Sequence, residues 1–488
     1  MILSVFKRSG RSGTSASASL EAGLAAYAEQ NFAAALSLFL PLARAGHAEA
    51  QYQLGMLYVR GLGVVQDYGD AAFWLTRAAE QDHAHAQFEL GLIYFTGQGA
   101  AREESSVVRW HRRAAQHNQA AAVSNLELLY PNGVGVPQDM PRGMAWLRKA
   151  AEQGVPTAQT NLGMVYASGQ GAARDLDEAL RWYRLAAEQN YADGQFRLGS
   201  LYAAGQGVDR DFKTAHDWYH AAAAQGHAMA QLNLGLMYAN GQGVERDYDE
   251  AVRWYRAAAE QGDASAQVNL GLMYANSQGV SQDYAKAIEW FRKAAEQGNT
   301  SAQFNLGFIF ANGIAGYHDN AEAVIWYRKA ATRGNVAAQV NLGLMYINSQ
   351  GVMRDPGEAA QWFHKAAEQG NVTGQLNLAL LYANGQGLQQ NETEAARWFH
   401  KAAVQGNVTA QINLGRLYAE GRGVERNGVE AYAWLSAAAA GLPPGDLLNQ
   451  ITAEMTLIAE SLSPEDVAQA TEKGHGLRSG DTQHFQAG

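Results

Sequence analysis

Asparagine is the residue type whose placement in this chain points most directly to recognition chemistry. Eight asparagines, the asparagine column, are separated by multiples of 36 residues: Asn125, Asn161, Asn233, Asn269, Asn305, Asn341, Asn377 and Asn413. An asparagine amide donates and accepts hydrogen bonds, as the backbone of an extended peptide does. Asparagine inside a helix costs roughly several tenths of a kcal/mol relative to alanine. The column therefore predicts either a row of amides that binds a peptide or one that ties neighbouring helices together.

The other chemically capable residues do not form a catalytic or metal-binding pattern. His216 and His220 have a helical spacing that suits a metal, and His227 is near, but the glutamate of a zinc-protease motif is missing between them. The chain has no cysteine, and it contains neither a Gly-x4-Gly-Lys-Ser/Thr phosphate loop nor a Gly-x-Ser-x-Gly nucleophile motif. We therefore expect no enzymatic activity, no metal and no cofactor.

The elements that must hold the asparagines are indicated by the tryptophans. All eleven stand 36 residues apart: Trp74, Trp110, Trp146, Trp182, Trp218, Trp254, Trp290, Trp326, Trp362, Trp398 and Trp434. A fixed period of this length indicates one supersecondary unit repeated in tandem. We number the copies one to eleven by these tryptophans. Because each indole hides about 150–250 Å² when buried, this tryptophan column is predicted to be core.

Each copy is predicted to be a helical hairpin. Ala266, Leu270 and Tyr274 share one face of a first helix, helix A, and Ala287 with Trp290 lie on one face of a second, helix B. Aspartate seven residues before the tryptophan predicts the cap of helix B, and Gly, Asn or Asp eight residues after it predicts the end of that helix. A glycine follows a leucine inside helix A in nine copies, which predicts a close approach of two helices. These glycines are Gly55, Gly91, Gly163, Gly199, Gly235, Gly271, Gly307, Gly343 and Gly415.

Two further features modulate this pattern. In nine copies, from Arg112 to His400, the second residue after the tryptophan is basic. This basic column is predicted to lie on a solvated face of helix B. The third and eighth copies are irregular, with Glu127 and three prolines in one and Phe310 followed by an altered turn in the other. Such copies are either tolerated bends of a repeat protein or marks of a partner contact.

The combined pattern, Ala-x4-Gly-x2-Tyr-x2-Gly-x-Gly-Val-x2-Asp-x3-Ala-x2-Trp-x3-Ala-Ala-x2-Gly, resembles the Sel1-like repeat, a relative of the tetratricopeptide repeat. The resemblance implies an all-α fold, a right-handed superhelical solenoid of antiparallel helix pairs with the A helices on the concave side. In the related tetratricopeptide superhelices, concave asparagine ladders grip peptide backbones. The resemblance thus implies a scaffold for a protein or peptide partner in bacterial signalling, envelope assembly or host interaction. Some similar proteins bind or hydrolyse β-lactams, but they carry paired cysteines that this chain lacks.

The array has flanking segments. Residues 1–18 are predicted to be a disordered lead, residues 19–46 a degenerate helix pair with a shorter turn in which Leu38 replaces tryptophan, and residues 47–442 the eleven copies. Residues 443–473 are predicted to form capping helices and residues 474–488 a flexible tail.

Charge and hydropathy narrow the possible partners. The net charge of −10 argues against nucleic acid, which requires a basic surface. No apolar run approaches the roughly 20 residues of a membrane span, and the start does not resemble a secretory signal. We expect a cytoplasmic protein, with export by a non-classical route left open, and the sequence does not predict an oligomeric state.

Overall fold

The computed structural model describes residues 10–96, 104–117, 122, 125 and 140–479. Within these residues the secondary structure consists of α-helices, turns and one short 3-10 helix, Ile314–Gly316, and no strand occurs. The chain divides into two compact units, Met1–Asp247 and Tyr248–Gly488, which we call the N-terminal and C-terminal units. The predicted all-α class is confirmed.

The N-terminal unit contains the first twelve helices that have described bounds. They are α1 (Gly10–Ala28), α2 (Phe32–Arg44), α3 (Ala48–Arg60), α4 (Tyr68–Glu80), α5 (Ala84–Thr96), α6 (Glu104–Gln116), α7 (Met140–Glu152), α8 (Pro156–Ser168), α9 (Leu176–Glu188), α10 (Ala192–Ala204), α11 (Phe212–Ala224) and α12 (Ala228–Asn240).

The C-terminal unit contains the thirteen helices that follow. They are α13 (Tyr248–Glu260), α14 (Ala264–Asn276), α15 (Tyr284–Glu296), α16 (Thr300–Asn312), α17 (Asn320–Thr332), α18 (Val336–Asn348), α19 (Pro356–Glu368), α20 (Val372–Asn384), α21 (Glu392–Val404), α22 (Val408–Glu420), α23 (Gly428–Ala440), α24 (Asp446–Ala459) and α25 (Pro464–Ser479).

The helix ends follow the predicted capping residues. Asp67 accepts hydrogen bonds from the N–H groups of Gly69 and Asp70 at the start of α4, and Asn391 caps α21 in the same way through Glu394. Beyond helix B, the glycine eight residues after the tryptophan adopts the left-handed conformation, as at Gly262 with φ 94°. Both predictions are confirmed wherever these caps are described.

Helices A and B of one copy run antiparallel. Gln51 near the start of α3 is hydrogen-bonded to Gln81 just after α4, while Gly55 in the middle of α3 lies against Leu75 in the middle of α4. The turn between them is closed by the backbone bond from Asp67 to Tyr58. Helix B and the next helix A also pack directly, so each unit is a stack of antiparallel helix pairs.

The helix-A glycine makes room for one ring. A Cβ atom at Gly163 would lie 2.5 Å from the ring of Tyr183, and one at Gly343 would lie 2.6 Å from the ring of Phe363. These rings belong to the residue after the tryptophan, in helix B of the same copy. The predicted close approach is confirmed, and its cause is an aromatic side chain against a bare backbone. Burial also raises the pKa of Tyr183 to about 12.

The tryptophan column is core, as predicted. Six of the eleven indoles are buried, with Trp434 only 2% exposed, and the other five are half-buried. Most of the surrounding core consists of alanines of helices A and B, which are small enough for the backbones to approach closely. The tryptophans therefore serve packing rather than ligand recognition.

The flanking helices also obey the repeat's packing rule. In the first pair, α1 and α2, Gly23 lies against the fully buried ring of Phe39. These residues are 16 apart, whereas Gly55 and Leu75 are 20 apart, which matches the expected shorter turn. Helix α1 begins at Gly10, inside the segment predicted to be a lead. Among the described helices, none has both the length and the apolar character needed to cross a membrane.

Candidate functional site

The asparagine column lies in the middle of helix A, and all eight of its side chains are half-buried. In the C-terminal unit, five consecutive A helices carry it without interruption: Asn269 on α14, Asn305 on α16, Asn341 on α18, Asn377 on α20 and Asn413 on α22. In the N-terminal unit the six equivalent positions are, in chain order, Gln53, Glu89, Asn125, Asn161, Arg197 and Asn233. The structure thus brings five amides into successive equivalent positions and leaves three in an interrupted series.

Three asparagines bond to their own helix. The Nδ2 groups of Asn233, Asn377 and Asn413 donate to the carbonyl oxygens four residues earlier, over 2.8–2.9 Å. This bond holds the side chain in one orientation and uses only its donor end. The Oδ1 atom keeps two lone pairs for an incoming N–H group.

Two asparagines tie neighbouring copies together instead. Asn341 is hydrogen-bonded to the phenol of Tyr327, and Asn125 Nδ2 lies 2.8 Å from His111 Nε2. Both partners follow the tryptophan of the preceding copy. At that position Phe291, Phe363 and Phe399 have no polar group to offer Asn305, Asn377 and Asn413. The two readings of the column therefore belong to different copies.

A second amide column, which sequence reasoning missed, locks the stack. Four residues before the helix-A glycine position stands a buried glutamine in ten of the eleven copies. This glutamine column comprises Gln51, Gln87, Gln159, Gln195, Gln231, Gln267, Gln303, Gln339, Gln375 and Gln411. Its regular recurrence was the signal that could have identified it.

Each of these glutamines joins two copies. Gln339 Nε2 donates to the carbonyl of Ala331, at the end of the preceding helix B, over 3.1 Å. Its Oε1 accepts from Gln369 Nε2 over 2.9 Å, at the end of helix B in its own copy. Because the glutamines satisfy the buried groups between copies, most of the asparagine column is not needed for that purpose.

The basic column is not merely solvated. Arg184 donates to the phenol of Tyr202 over 3.3 Å, and Arg256 donates to Tyr274 over 3.1 Å. Each bond links helix B to helix A of the next copy. In copy eight Phe310 lacks the hydroxyl, and the corresponding Arg292 pairs with Glu322 instead.

The histidines considered for metal binding have other partners. His216 Nε2 lies 3.2 Å from the hydroxyl of Tyr238, and His227 accepts the N–H of Ala230 at the start of α12. In the described portion of the chain, no group of three or more His, Cys, Asp or Glu residues is arranged to hold a metal ion.

The structure describes the two irregular copies to different extents. Glu127, Pro131 and Pro137 of copy three lie outside the described residues. In copy eight the altered turn forms the 3-10 helix Ile314–Gly316, with Ala315 at φ 53°. Phe310 there is buried and 5% exposed.

The comparisons with known proteins agree with this architecture. Eleven segments match the Sel1 repeat: residues 48–83, 84–119, 122–155, 156–191, 192–227, 228–263, 264–299, 300–335, 336–371, 372–407 and 408–441. A protective antigen of uropathogenic Escherichia coli strains, described as displaying an SLR fold, is 34% identical with a TM-score of 0.71, over 93% of this chain and 98% of that one. A Sel1 repeat protein from Oxalobacter formigenes is 36% identical with a TM-score of 0.50, over 62% of this chain and 87% of that one. The search of curated proteins gave no match.

Proposed function

The chain belongs to the Sel1 repeat family, whose helix-pair solenoid is typical of non-catalytic protein–protein interaction scaffolds, and we propose that it binds a partner protein or extended peptide along its helix-A face. The partner contacts the asparagine column, and the peptide backbone supplies the complementary hydrogen bonds. The roles that suit such a scaffold are bacterial signalling, envelope assembly and host interaction.

The observation that carries this proposal is the uninterrupted asparagine column of the C-terminal unit. Asn377 and Asn413 already donate to their own helix, so their Oδ1 atoms are oriented as acceptors. An extended peptide presents N–H groups that such acceptors bind without regard to side-chain identity. Because the oriented amide loses little entropy on binding, each bond contributes more than one from a freely rotating side chain.

The interrupted column of the N-terminal unit supports side-chain selectivity. Glu89 and Arg197 occupy asparagine slots there and bring charge to the helix-A face. Burial raises the pKa of Glu89. A basic partner residue opposite Glu89 would oppose this shift, and such pairing fixes the register of a bound chain.

The test is affinity capture from the native cell, followed by binding measurements with the purified partner. The triple variant N305A/N377A/N413A is expected to lose most of the captured partner while its circular dichroism stays unchanged. A phenylalanine stands 14 residues before each of these three asparagines. None of them therefore ties neighbouring copies through a phenol.

A matched control is available on the A helices of the same unit. Asn312, Asn348 and Asn384 are exposed residues at the ends of α16, α18 and α20. The variant N312A/N348A/N384A changes the same residue type to the same extent and should retain the partner. Equal capture by both triple variants would refute the asparagine column as the binding site.

A further inference from the structure

The outer face of helix B in copy eight, on α17, departs from its neighbours at three positions together. These positions hold Ile325, Thr332 and Arg333 in copy eight, Glu289, Glu296 and Gln297 in copy seven, and Gln361, Glu368 and Gln369 in copy nine. Arg333 gives the three positions a formal charge of +1 in copy eight, against −2 from two glutamates in copy seven and −1 from one glutamate in copy nine. The local charge is therefore reversed in a chain whose net charge is −10.

Packing does not account for these changes. Ile325 is 53% exposed, so its aliphatic side chain is accessible to a partner. Arg333 replaces the glutamine that would donate to Gln303, and Gln303 Oε1 is buried without a hydrogen-bond partner. Copy eight thus gives up one bond of the glutamine column and exposes an aliphatic side chain. Departures from a local rule with no structural return are expected at functional positions.

A cavity lies along this face. It has a volume of about 600 Å³ and is bounded by the end of α15, the start of α16 and α17. Val324 and Ile325 form its apolar part, and Arg328, Lys329 and Arg333 bring three cations to it. Glu296 is the carboxylate among its lining residues. This volume fits a few residues of a peptide.

A second cavity of about 560 Å³ shares the lining residue Arg328 with the first. It adds Arg354, the carboxylates of Asp355 and Glu358, and the side chain of Met353, which is 89% exposed. The excess of cations is therefore confined to the first cavity, because two carboxylates balance the two arginines of the second.

We propose that this surface, the copy-eight groove formed by Val324, Ile325, Arg328, Lys329, Thr332 and Arg333, binds a short acidic segment of a partner protein with an aliphatic residue between carboxylates. Arg333 and Lys329 pair with the carboxylates, and Ile325 covers the aliphatic side chain. When Arg333 turns onto a carboxylate, Gln303 Oε1 accepts a peptide N–H group and gains its missing partner. The net negative charge of the chain disfavours acidic peptides elsewhere, so the groove is selective. This site lies on helix B and does not use the asparagine column.

The probe is a short fluorescein-labelled peptide of alternating Glu and Leu, and binding is followed by fluorescence anisotropy at low and physiological salt. The variant I325E/T332E/R333Q, which restores the pattern of copy seven with glutamates at the first two positions, is expected to bind at least about tenfold more weakly. The amide that R333Q introduces can complete the glutamine column at Gln303, so the melting temperature should not fall. Loss of binding is then not loss of folding.

Two lysines provide a matched pair. Lys329 and Lys365 occupy equivalent positions in copies eight and nine, and each ammonium lies 4.1 Å from the ring centroid of the tryptophan three residues earlier. K329Q is expected to weaken probe binding, whereas K365Q should leave it unchanged although it removes the same stacking contact. Equal weakening by both would overturn the assignment of the site to copy eight.

Three other results would overturn the proposal: no binding of the probe by the wild-type chain, unchanged binding by I325E/T332E/R333Q, or binding of phosphatidylserine vesicles with the same variant dependence while the peptide does not bind. The variant N305A/N377A/N413A should bind the probe normally. The copy-eight groove and the asparagine column can therefore fail independently.

Discussion

The two units are built from the same hairpin but begin helix A with different residues. In the C-terminal unit the residue before helix A is Asp263, Asn299, Asn335, Asn371 or Asn407, and each accepts an N–H bond through Oδ1. In the N-terminal unit His83 and His227 accept the same bond through Nδ1. Their Nε2 atoms also contact Glu49 at 2.9 Å and Asp193 at 3.5 Å on the preceding helix A.

This difference separates the stacking contacts that both units share from the contacts that are specific to one unit. Both units share the glutamine column and the ring against the helix-A glycine, so these neutral contacts are common to the stacking of both. Contacts between a capping histidine and a carboxylate of the preceding helix A occur only in the N-terminal unit among the described residues, as do the charged slots Glu89 and Arg197 of the asparagine column. The N-terminal unit therefore places charges at two repeat positions that are neutral or carry a different cap in the C-terminal unit.

The shared contacts should give the largest effect, and an equal one in both units. Gln195→Ala removes three hydrogen bonds and Gln339→Ala removes two. Each also leaves a cavity, and each change is expected to cost about 2–4 kcal/mol. Urea unfolding with hydrogen exchange of the flanking helices measures the loss. Sensitivity in only one unit would contradict a common stacking mechanism. Gln303→Ala is the control, with a cost lower by about 1 kcal/mol because its Oε1 has no partner.

The helix-A caps should give the next effect. Asn335 Oδ1 accepts the N–H of Ala338 over 2.8 Å, and Asn335→Ala is expected to cost about 1 kcal/mol. His227→Asn keeps a capping side chain and is expected to change stability by less than about 0.5 kcal/mol. Thermal unfolding at neutral pH compares the two. A large loss from His227→Asn would mean that its contact with Asp193 is structural.

A gain of stability is expected where the N-terminal unit breaks the glutamine column. Gln87 Oε1 is buried without a partner, because His117 stands where other copies have the donating glutamine. His117→Gln should add one hydrogen bond, or about 0.5–1.5 kcal/mol. The midpoint of urea unfolding measures the gain. No gain would show that the end of α6 cannot bring a glutamine to Gln87.

The smallest effect is the part of the pH dependence of stability that comes from the carboxylates beside the capping histidines. The hydrogen bond from His83 lowers the pKa of Glu49, and that from His227 lowers the pKa of Asp193, from ordinary values of 4.5 and 3.8. A lowered pKa in the folded state stabilises the fold above the ordinary value, and this stability is lost as the pH falls through the folded pKa. Because both carboxylates are partly exposed, the total should not exceed about 1 kcal/mol.

The double variant E49Q/D193N isolates this contribution. Between neutral pH and acid conditions below the ordinary carboxyl pKa values, its melting temperature should fall less than that of the wild type. Parallel curves for the two proteins would show that these contacts do not contribute to acid stability. Asn335→Asp is the converse variant, because it adds a titratable group at a helix cap of the C-terminal unit. The melting temperature of this variant should fall more between neutral and acid pH than that of the wild type.

The periodic positions of the sequence predicted the architecture, whereas hydrogen-bond partners were harder to predict. Tryptophans, capping aspartates and left-handed glycines act within a few residues of their own position, so spacing alone identified them. The partner of Gln339 lies 30 residues further on, at Gln369, and a polar residue beside an apolar stripe is normally assigned to solvent. At the N-terminus, Leu38 was expected to replace tryptophan, and Phe39, the residue after it, contacts Gly23 as the residue after the tryptophan contacts the helix-A glycine in other copies.

The candidate site was predicted in part. The repeat pattern placed every asparagine of the column on helix A of its copy. It did not distinguish Asn341, which is tied to Tyr327, from Asn377, which is bonded to its own helix. Tyrosine stands 14 residues before Asn341 and phenylalanine 14 before Asn377, but tyrosine also precedes Asn233, which bonds to its own helix. The copy-eight groove arises from departures from the repeat, which spacing analysis treats as noise. Peptide binding by the asparagine column stays a prediction.

The short range of the glutamine contacts has a consequence for how the gene of a repeat protein like this one can change over generations. Each glutamine contacts only its own copy and the one before it, so no bond measures the total number of copies. A duplication or deletion of one whole period recreates the same bonds at the junction, whereas any other length shifts glutamine away from its carbonyl. Unequal recombination between copies can thus lengthen or shorten the binding surface while preserving a foldable chain.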